Sequence, residues 1–296
     1  MLYARIRKMN ESVSQLLDFF ERYPRWVVLT GAGVSADSGI PTYRDGKGRW
    51  LRNTPIQHQE FVADASARQR YWGRSMVGWP GVRDALPNDN HRALAAMEAM
   101  GRVELTITQN VDRLHQRAGS QRVTDLHGRL DRVLCLDCGA GYEREEVQRE
   151  LESLNPHHQG LVAAARPDGD ADLSPKQVND IHVWDCPACC GLLKPDVVFF
   201  GGSIPRQRVQ QCEQALESAD GLLVLGSSLQ VFSGFRFCKM AVAQNKPLVI
   251  LNEGLTRADG LADLKVSDQA LDLFRKSIQT LGTLTPSPLE KQTRHG

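Results

Sequence analysis

"VVLTGAGVSADSGIPTYRD", Val27 to Asp45, starts as an apolar run and then gives up hydrophobic patterning. Gly31, Ala32, Gly33, Ser35, Ala36, Ser38 and Gly39 are all small, and Pro41, Tyr43, Arg44 and Asp45 follow. A buried strand that runs into such a turn predicts a backbone that something approaches closely. Gly31-x-Gly33-x-x-Ala36 fits the dinucleotide fingerprint G-x-G-x-x-G/A, in which amides clear of side chains meet a pyrophosphate. A tight strand-to-helix turn without a ligand is the other reading of the same residues. A hydride-transferring dehydrogenase would carry an acidic residue ~20 positions further on, at a second strand end. Here the chain has the irregular loop "GIPTYRDGKGRW" instead. The turn points to a dinucleotide whose ribose is handled unusually.

Working outward, four continuous apolar runs appear: "WVVLT" (26–30), "VELTIT" (103–108), "GLLVLG" (221–226) and "PLVILN" (247–252). Continuous rather than alternating runs predict strands of a parallel sheet buried on both faces. Helix-like segments at 206–219 and 232–245 separate the last of them, so the expected fold is a Rossmann-like, doubly wound α/β sheet. A small or polar cluster follows each run, at 31–35, 109–112, 227–228 and 253–254. In open α/β sheets the ligand lies beyond the carboxyl ends of the strands.

Residues 1–45, 87–134 and 195–284 are expected to build this dinucleotide-binding domain. Residues 46–86, with "RQRYWGRSMVGWP", read as a helical insertion beside the crevice, and residues 285–296 as a disordered tail. Residues 135–194 break the pattern with a polar interior and read as a small inserted module. The module contains Cys135-x-x-Cys138 and Cys186-x-x-Cys189, four of the seven cysteines. Two thiolate pairs on tight knuckles make a closed tetrahedral site for one structural Zn²⁺. Cys190 is left as a neighbouring thiol, and Cys212 and Cys238 read as core residues.

The net charge of +1 leaves no electrostatic footprint for nucleic acid or a membrane surface. No run approaches the ~18 apolar residues of a membrane span. The thiol usage suits a reducing compartment. Cytoplasm is expected, with the mitochondrial matrix as the alternative suggested by an Arg-bearing N-terminus. The oligomeric state is left open.

Gln109, Asn110 and Asp112 stand directly beyond a strand, where they either contact ribose and carboxamide groups or cap a helix. His127, in "DLHGRLDRVLC", lies between these groups and the module boundary, and imidazole is the usual proton acceptor near neutral pH.

Taken together, "GAGVSADSGIPTYR" (31–44), "TQNVDRLH" (108–115), "LHG" (126–128), the two C-x-x-C pairs, "LKPDVVFFG" (193–201), "GSSLQV" (226–231) and "LNEG" (251–254) resemble the sirtuins, NAD-dependent protein-lysine deacylases. The phrasing is most similar to the class II branch, which includes the mitochondrial sirtuin 4 type and bacterial relatives. The resemblance implies that Gly31, Ala32, Gly33 and Ser35 meet the phosphates of NAD and that Tyr43 and Arg44 belong to a cofactor loop. It implies that Gln109, Asn110 and Asp112 line the ribose and nicotinamide pocket and that His127 is the general base. Gly226, Ser227, Ser228, Asn252, Glu253 and the backbone near Ala270 would hold the adenosine half. Val197, Val198, Phe199, Phe200 and Gly201 would pair with the backbone of an acyl-lysine protein substrate. NAD would be consumed, giving free lysine, nicotinamide and O-acyl-ADP-ribose.

Thr42 departs from the family's usual Asp, and Cys190 from its usual Gly. Tyr71-x-x-Arg74 places two side chains one helical turn apart, an arrangement that resembles sirtuins acting on succinyl, malonyl or glutaryl lysine. The competing readings are a mono-ADP-ribosyltransferase on the same NAD site, a zinc-knuckle binding module, and an ordinary dehydrogenase.

Overall fold

The segment Trp26–Thr30 forms β1, and all five residues are buried. Each fully buried aliphatic or aromatic side chain there contributes about 1.5–3 kcal/mol. It pairs in parallel with β2 (Val103–Thr108) on one side and β7 (Gly221–Leu225) on the other. With β3 (Val123–Asp125), β8 (Leu248–Leu251) and β9 (Leu264–Val266) these make a six-stranded parallel sheet in the order β3-β2-β1-β7-β8-β9. The expected doubly wound sheet is therefore present, and β3 and β9 are short edge strands that no apolar run announced. The structure is a computed structural model and describes residues 2–43, 45, 49, 55–158, 160–161, 163–164, 166–178 and 180–284. The tail expectation for 285–296 lies outside these residues.

Helices cover both faces of the sheet, which is why its strands are apolar without alternation. On one face α1 (Leu2–Arg22), α4 (Asp89–Ala99) and α9 (Ala270–Leu284) bury Leu16, Phe20, Met97 and Phe274 against Trp26, Val28 and Val249. On the other, α7 (Arg206–Ser218) and α8 (Phe232–Ala243) bury Cys212, Leu216, Phe237 and Cys238 against Val27, Leu29 and Ile250. Cys212 and Cys238 are thus core residues, as read. No helix among the described residues is long and apolar enough to cross a membrane.

A second, antiparallel sheet has the order β5-β4-β6, from β4 (Gly128–Cys135), β5 (Gly141–Glu143) and β6 (Leu193–Val197). The helix α6 (Arg144–Leu154) packs on it through Val147 and Leu151. The inserted segment before it forms α2 (His58–Ala63) and α3 (Ala65–Asp84), whose Phe61, Trp72 and Met76 join the same core. That core also takes in Ala171, Leu173, Val178 and Ile181. The stretch read as a polar loop with few anchors is therefore tied to α3 by four apolar residues. Gly78 makes the approach possible, because a Cβ there would lie 2.4 Å from the backbone of Asp170.

The two glycine turns meet where β1 and β7 end side by side. A Cβ on Gly33 would lie 2.9 Å from Gly226 Cα, and one on Gly226 would lie 2.6 Å from Val34 N. Gly226 also has φ 57°, in the left-handed region. The Gly33 N–H donates to Gly226 O at 2.9 Å. The close approach that the small residues permit is, in the first place, one stretch of this chain against another. Gly226→Ala is expected to cost about 1–3 kcal/mol through strain and overlap. Gly81→Ala, with nothing within 4 Å of the new methyl, is expected to stabilise α3 by about 0.5–1 kcal/mol. Thermal unfolding of the two variants checks these opposite signs.

Candidate active site

The carboxyl ends of β1, β2, β7 and β8 open into one cleft of about 1500 Å³. That exceeds the ~300–1000 Å³ of a pocket for a single small ligand. Gly31, Ala32, Gly33, Tyr43, Gln109, Asn110, His127, Gly226, Ser227, Ser228, Asn252 and Glu253 all line it. So do Tyr71, Arg74 and the run Val197 to Gly201. Ser35 and Asp112 instead line a side pocket that shares Ala32, Tyr43, Gln109 and Asn110 with the cleft. Ala270 is fully buried in the core, while its neighbours Leu271 and Asp272 form the wall. Arg44 lies outside the described residues.

The strand-end side chains hold one another. Gln109 donates from Nε2 to Ser227 Oγ at 2.7 Å, and its backbone N–H donates to Thr30 O at 3.0 Å. Asn110 donates to Gly31 O at 3.1 Å and to Ser35 Oγ at 3.0 Å. The hydroxyl of Ser35 donates to Asp112 Oδ2 at 2.7 Å. The Gly31 N–H donates to Leu225 O at 3.1 Å. With the Gly33 N–H already on Gly226 O, two of the amides expected to meet phosphate are engaged within the chain.

His127 sits 3.1 Å from Gln109 O through Nδ1 and 2.8 Å from Ser233 Oγ through Nε2. A carbonyl only accepts, so Nδ1 carries the proton and Nε2 offers its lone pair to the Ser233 hydroxyl. Burial pulls His127 down to about 4, against the opposing pull of the Gln109 carbonyl. The ring is neutral at pH 7, with a basic nitrogen facing the cleft. Ser233, at the start of α8, was not singled out in the sequence; a serine one residue past "GSSLQVF" carries no signal of its own.

At the other end of the cleft Tyr71 packs against Phe61 and Phe199, with ring centroids 5.5 and 5.1 Å away. Arg74 is held by Asp170 at 2.6 Å and donates from Nε to Ala171 O at 3.1 Å. Asp168 hydrogen-bonds Tyr43 and lines both the cleft and its side pocket. Burial, and then the neighbouring Asp170 carboxylate, push Asp168 up to about 8. Arg166, Asp168 and Asp170 went unnoticed in the sequence because "RPDGD" reads as an ordinary turn. Only the packing of that turn on α3 carries it to the cleft.

Cys135, Cys138, Cys186 and Cys189 bring their sulfurs within 4.8 Å of one another. Cys135 Sγ lies 3.5 Å from Cys189 Sγ, and Cys138 Sγ 3.7 Å from Cys186 Sγ. A Zn–S length of about 2.3 Å sets tetrahedral sulfurs about 3.8 Å apart, so the four thiolates fit one zinc ion with no open coordination place. Cys190 is not part of the cluster.

A family model described as "Sir2 family" matches residues 31–233. A relative from Xanthomonas campestris pv. campestris, named NAD-dependent protein deacetylase, is 53% identical over 273 residues, covering 91% of this chain and 93% of its own length. The chain belongs to the Sir2 family. Another Sir2 relative, "NAD-dependent protein deacetylase 2" of Bradyrhizobium diazoefficiens, is 50% identical and covers 86% of this chain and 93% of its own length. Among solved structures, one described as "Sir2-p53 peptide-NAD+" superposes with a TM-score of 0.73 at 30% identity, over 91% of this chain and 98% of that one. A second, "Sir2 bound to acetylated peptide", has a TM-score of 0.72 at 30% identity, over the same shares.

Two departures of this Sir2 chain acquire a physical reading. Cys190 has φ 59°, the left-handed region that favours glycine, and its N–H donates to Cys186 O at 2.7 Å. The knuckle tolerates the side chain because it is exposed. Cys190→Gly is expected to raise stability by about 1 kcal/mol and leave one zinc per chain, whereas Cys189→Ser loses the metal and the fold of the module; metal analysis with thermal unfolding separates them. Thr42 lines the cleft without a carboxylate, and Asp168 places one beside Tyr43.

Because the folded-state value of Asp168 is raised from 3.8 to about 8, the folded chain holds the extra proton between those values. Its contribution is full below the lower value and is lost as pH rises towards the upper one. Denaturant titrations across that window are expected to move against the wild type relative to Asp168→Asn, and to level off above it.

Proposed function

We propose that this chain is an NAD-dependent protein-lysine deacylase in which His127 is the general base. One observation carries the assignment of the base: a neutral imidazole in the cleft wall, its proton fixed on Nδ1 by Gln109 O and its Nε2 lone pair turned to a hydroxyl. The Sir2 membership and the relatives named as protein deacetylases support the reaction. Glycine turns, polar strand ends and a cleft with room for two ligands suit a dinucleotide beside an acyl-lysine peptide.

NAD supplies an electrophilic ribose carbon when nicotinamide leaves. The acyl oxygen of the substrate takes the place of nicotinamide at that carbon, and the deprotonated ribose hydroxyl then attacks the acyl carbon. Water completes release of the lysine amine, and the chain supplies the groups that bind, orient and move protons. Nε2 of His127 accepts a proton from a ribose hydroxyl, in the place where the Ser233 hydroxyl now bonds, and the Gln109 carbonyl stabilises the imidazolium that results. Asn110 and Asp112 hold the nicotinamide side, Ser227, Ser228, Asn252 and Glu253 the adenosine side. Val197 to Gly201 receive the substrate backbone as an added strand, next to the bond from Val198 N–H to His127 O at 2.7 Å. Zinc holds the small module together and takes no part in the chemistry. The products are free lysine, nicotinamide and O-acyl-ADP-ribose.

The acyl channel favours neutral chains. Tyr71, Phe199 and Phe61 make an aromatic wall, and the Arg74 guanidinium is already neutralised by Asp170. A succinyl or glutaryl carboxylate would have to displace Asp170 and enter beside Asp168. The Asp170 carboxylate, already paired with Arg74, opposes it.

Nicotinamide release, followed by mass over peptides bearing acetyl, long-chain, lipoyl, succinyl and glutaryl lysine, tests both parts. Acetyl-lysine is expected to turn over and the acidic acyl groups to be poor substrates. His127→Ala is expected to lower kcat by about 10²–10⁴ without changing Tm. ADP-ribose appearing on a protein acceptor, with no acyl-dependent release, would establish the transferase instead; acidic acyl groups matching acetyl would overturn the assignment of Arg74.

A further inference from the structure

Behind the glycine turn lies a buried polar cluster that the mechanism does not use. His91 and His115 have 0% and 1% of their surface exposed, and their rings meet at 4.9 Å and an angle of 63°. His115 Nε2 bonds Thr30 Oγ1 at 2.9 Å, at the end of β1, where α5 (Leu114–Arg117) carries it. His91 is the third residue of α4, whose N-cap is Asn88.

The cluster runs without a break from the His91 ring to the Ser35 hydroxyl and on to Asp112. Ser35 Oγ has one proton, and Asp112 Oδ2 at 2.7 Å takes it. Asn110 Nδ2 donates into one lone pair of the same oxygen at 3.0 Å. His91 Nε2 lies 3.4 Å from the same oxygen. His91 Nδ1, at the other edge of the ring, lies 3.1 Å from Asn88 Oδ1 and 3.3 Å from the Asn88 backbone N, in the capping box of α4. One imidazole thus joins the N-terminus of α4 to the Ser35 hydroxyl. Ser35 in turn joins Asn110 and Asp112, and Leu114 N–H holds the second Asp112 oxygen at 2.9 Å.

We propose that His91 is a positioning residue for the nicotinamide side of the site. Its Nε2 closes the side of the Ser35 hydroxyl that Asn110 and Asp112 leave open, so the hydroxyl keeps one orientation and Asn110 and Asp112 are held at fixed distance from one another. Without that ring nitrogen the hydroxyl rotor gains alternatives and the two side chains lose their common anchor. Burial depresses His91 to about 4 and keeps it neutral, with one donor and one acceptor nitrogen. Edge contact with His115 holds the ring plane. The inference rests on the deacylase reading for what Asn110 and Asp112 do.

The test is a double-mutant cycle of His91→Leu and Ser35→Ala, read as kcat and KM for nicotinamide release with an acetyl-lysine peptide, with Tm measured alongside. A fall in kcat of about ten- to a hundredfold is expected for each, as for a misplaced site. Peptide KM is expected to stay within about twofold, and the double variant to be no worse than the poorer single one, the signature of groups acting in one chain. His91→Gln, which offers both an acceptor and a donor, is expected to recover most of the activity. Should His91→Leu fail to fold, a slow Ser35→Ala beside a near-normal His91→Gln carries the same conclusion. Additive losses, a kcat that merely follows Tm, or a Gln variant as poor as Leu would overturn the proposal. A wild-type chain without acyl-dependent release removes the deacylase reading as well, whereas an active wild type with additive variants removes only this one.

Discussion

The contact between Gly33 and Gly226 is the constraint on which the site depends. β1 and β7 are neighbours in the sheet, so the turns that leave them arrive at the same place. Neither turn leaves room for a methyl group on the other. The crossing brings Gln109 within reach of Ser227 and puts Asn110 over Gly31 O. From Gln109 the geometry passes to His127, whose tautomer that residue's carbonyl sets. A single close packing of backbone on backbone thereby orients the amides, the hydroxyls and the His127 imidazole. These groups are held before any ligand arrives, which is the condition for catalysis by position.

The small sheet performs a different task. Its four thiolates tie the end of β4 to the start of β6, and at their opposite end those strands carry His127 and Val197 to Gly201 side by side. Zinc is remote from the chemistry, yet it determines whether the strand that follows β6 stays in the cleft wall. The α3 helix braces the same module from the opposite side. Through Gly78 and the apolar contacts of Trp72 and Met76 it carries the 166–170 turn to the cleft. The acidic groups of that turn then neutralise Arg74 and surround Tyr43. Charge and shape of this end of the cleft are set by a loop with almost no regular structure.

Much of the fold was legible in the chain. β1, β2, β7 and β8 are continuous apolar runs, and the clusters behind them are adjacent in sequence to the strands that place them. The thiolate pairs were legible for the same reason, since a C-x-x-C knuckle is local. His127 was singled out by its neighbours and by family resemblance, and it lies in the cleft wall. The short strands β3 and β9 were not, because three residues do not make a pattern. His91 read as one polar residue on an ordinary helix, and Ser233 as one hydroxyl among many. Asp168 and Asp170 read as turn residues. For Tyr71 and Arg74 the helical spacing was right about a shared side, but spacing is silent on the partner across the channel.

By itself, then, the sequence determined the parallel sheet, the four clustered cysteines and the glycine turns that line the cleft, because each is encoded within a few residues of its own neighbours. Only the tertiary structure decided which carboxylate meets Arg74, which hydroxyl meets His127 and which imidazole meets Ser35. Those partners come from segments tens of residues apart: Arg74 and Asp170, His127 and Ser233, Ser35 and His91. A hydrogen bond or an ion pair depends on distance and direction at the level of an ångström. Such precision arises when the layers pack against one another, and no local pattern of residues contains it.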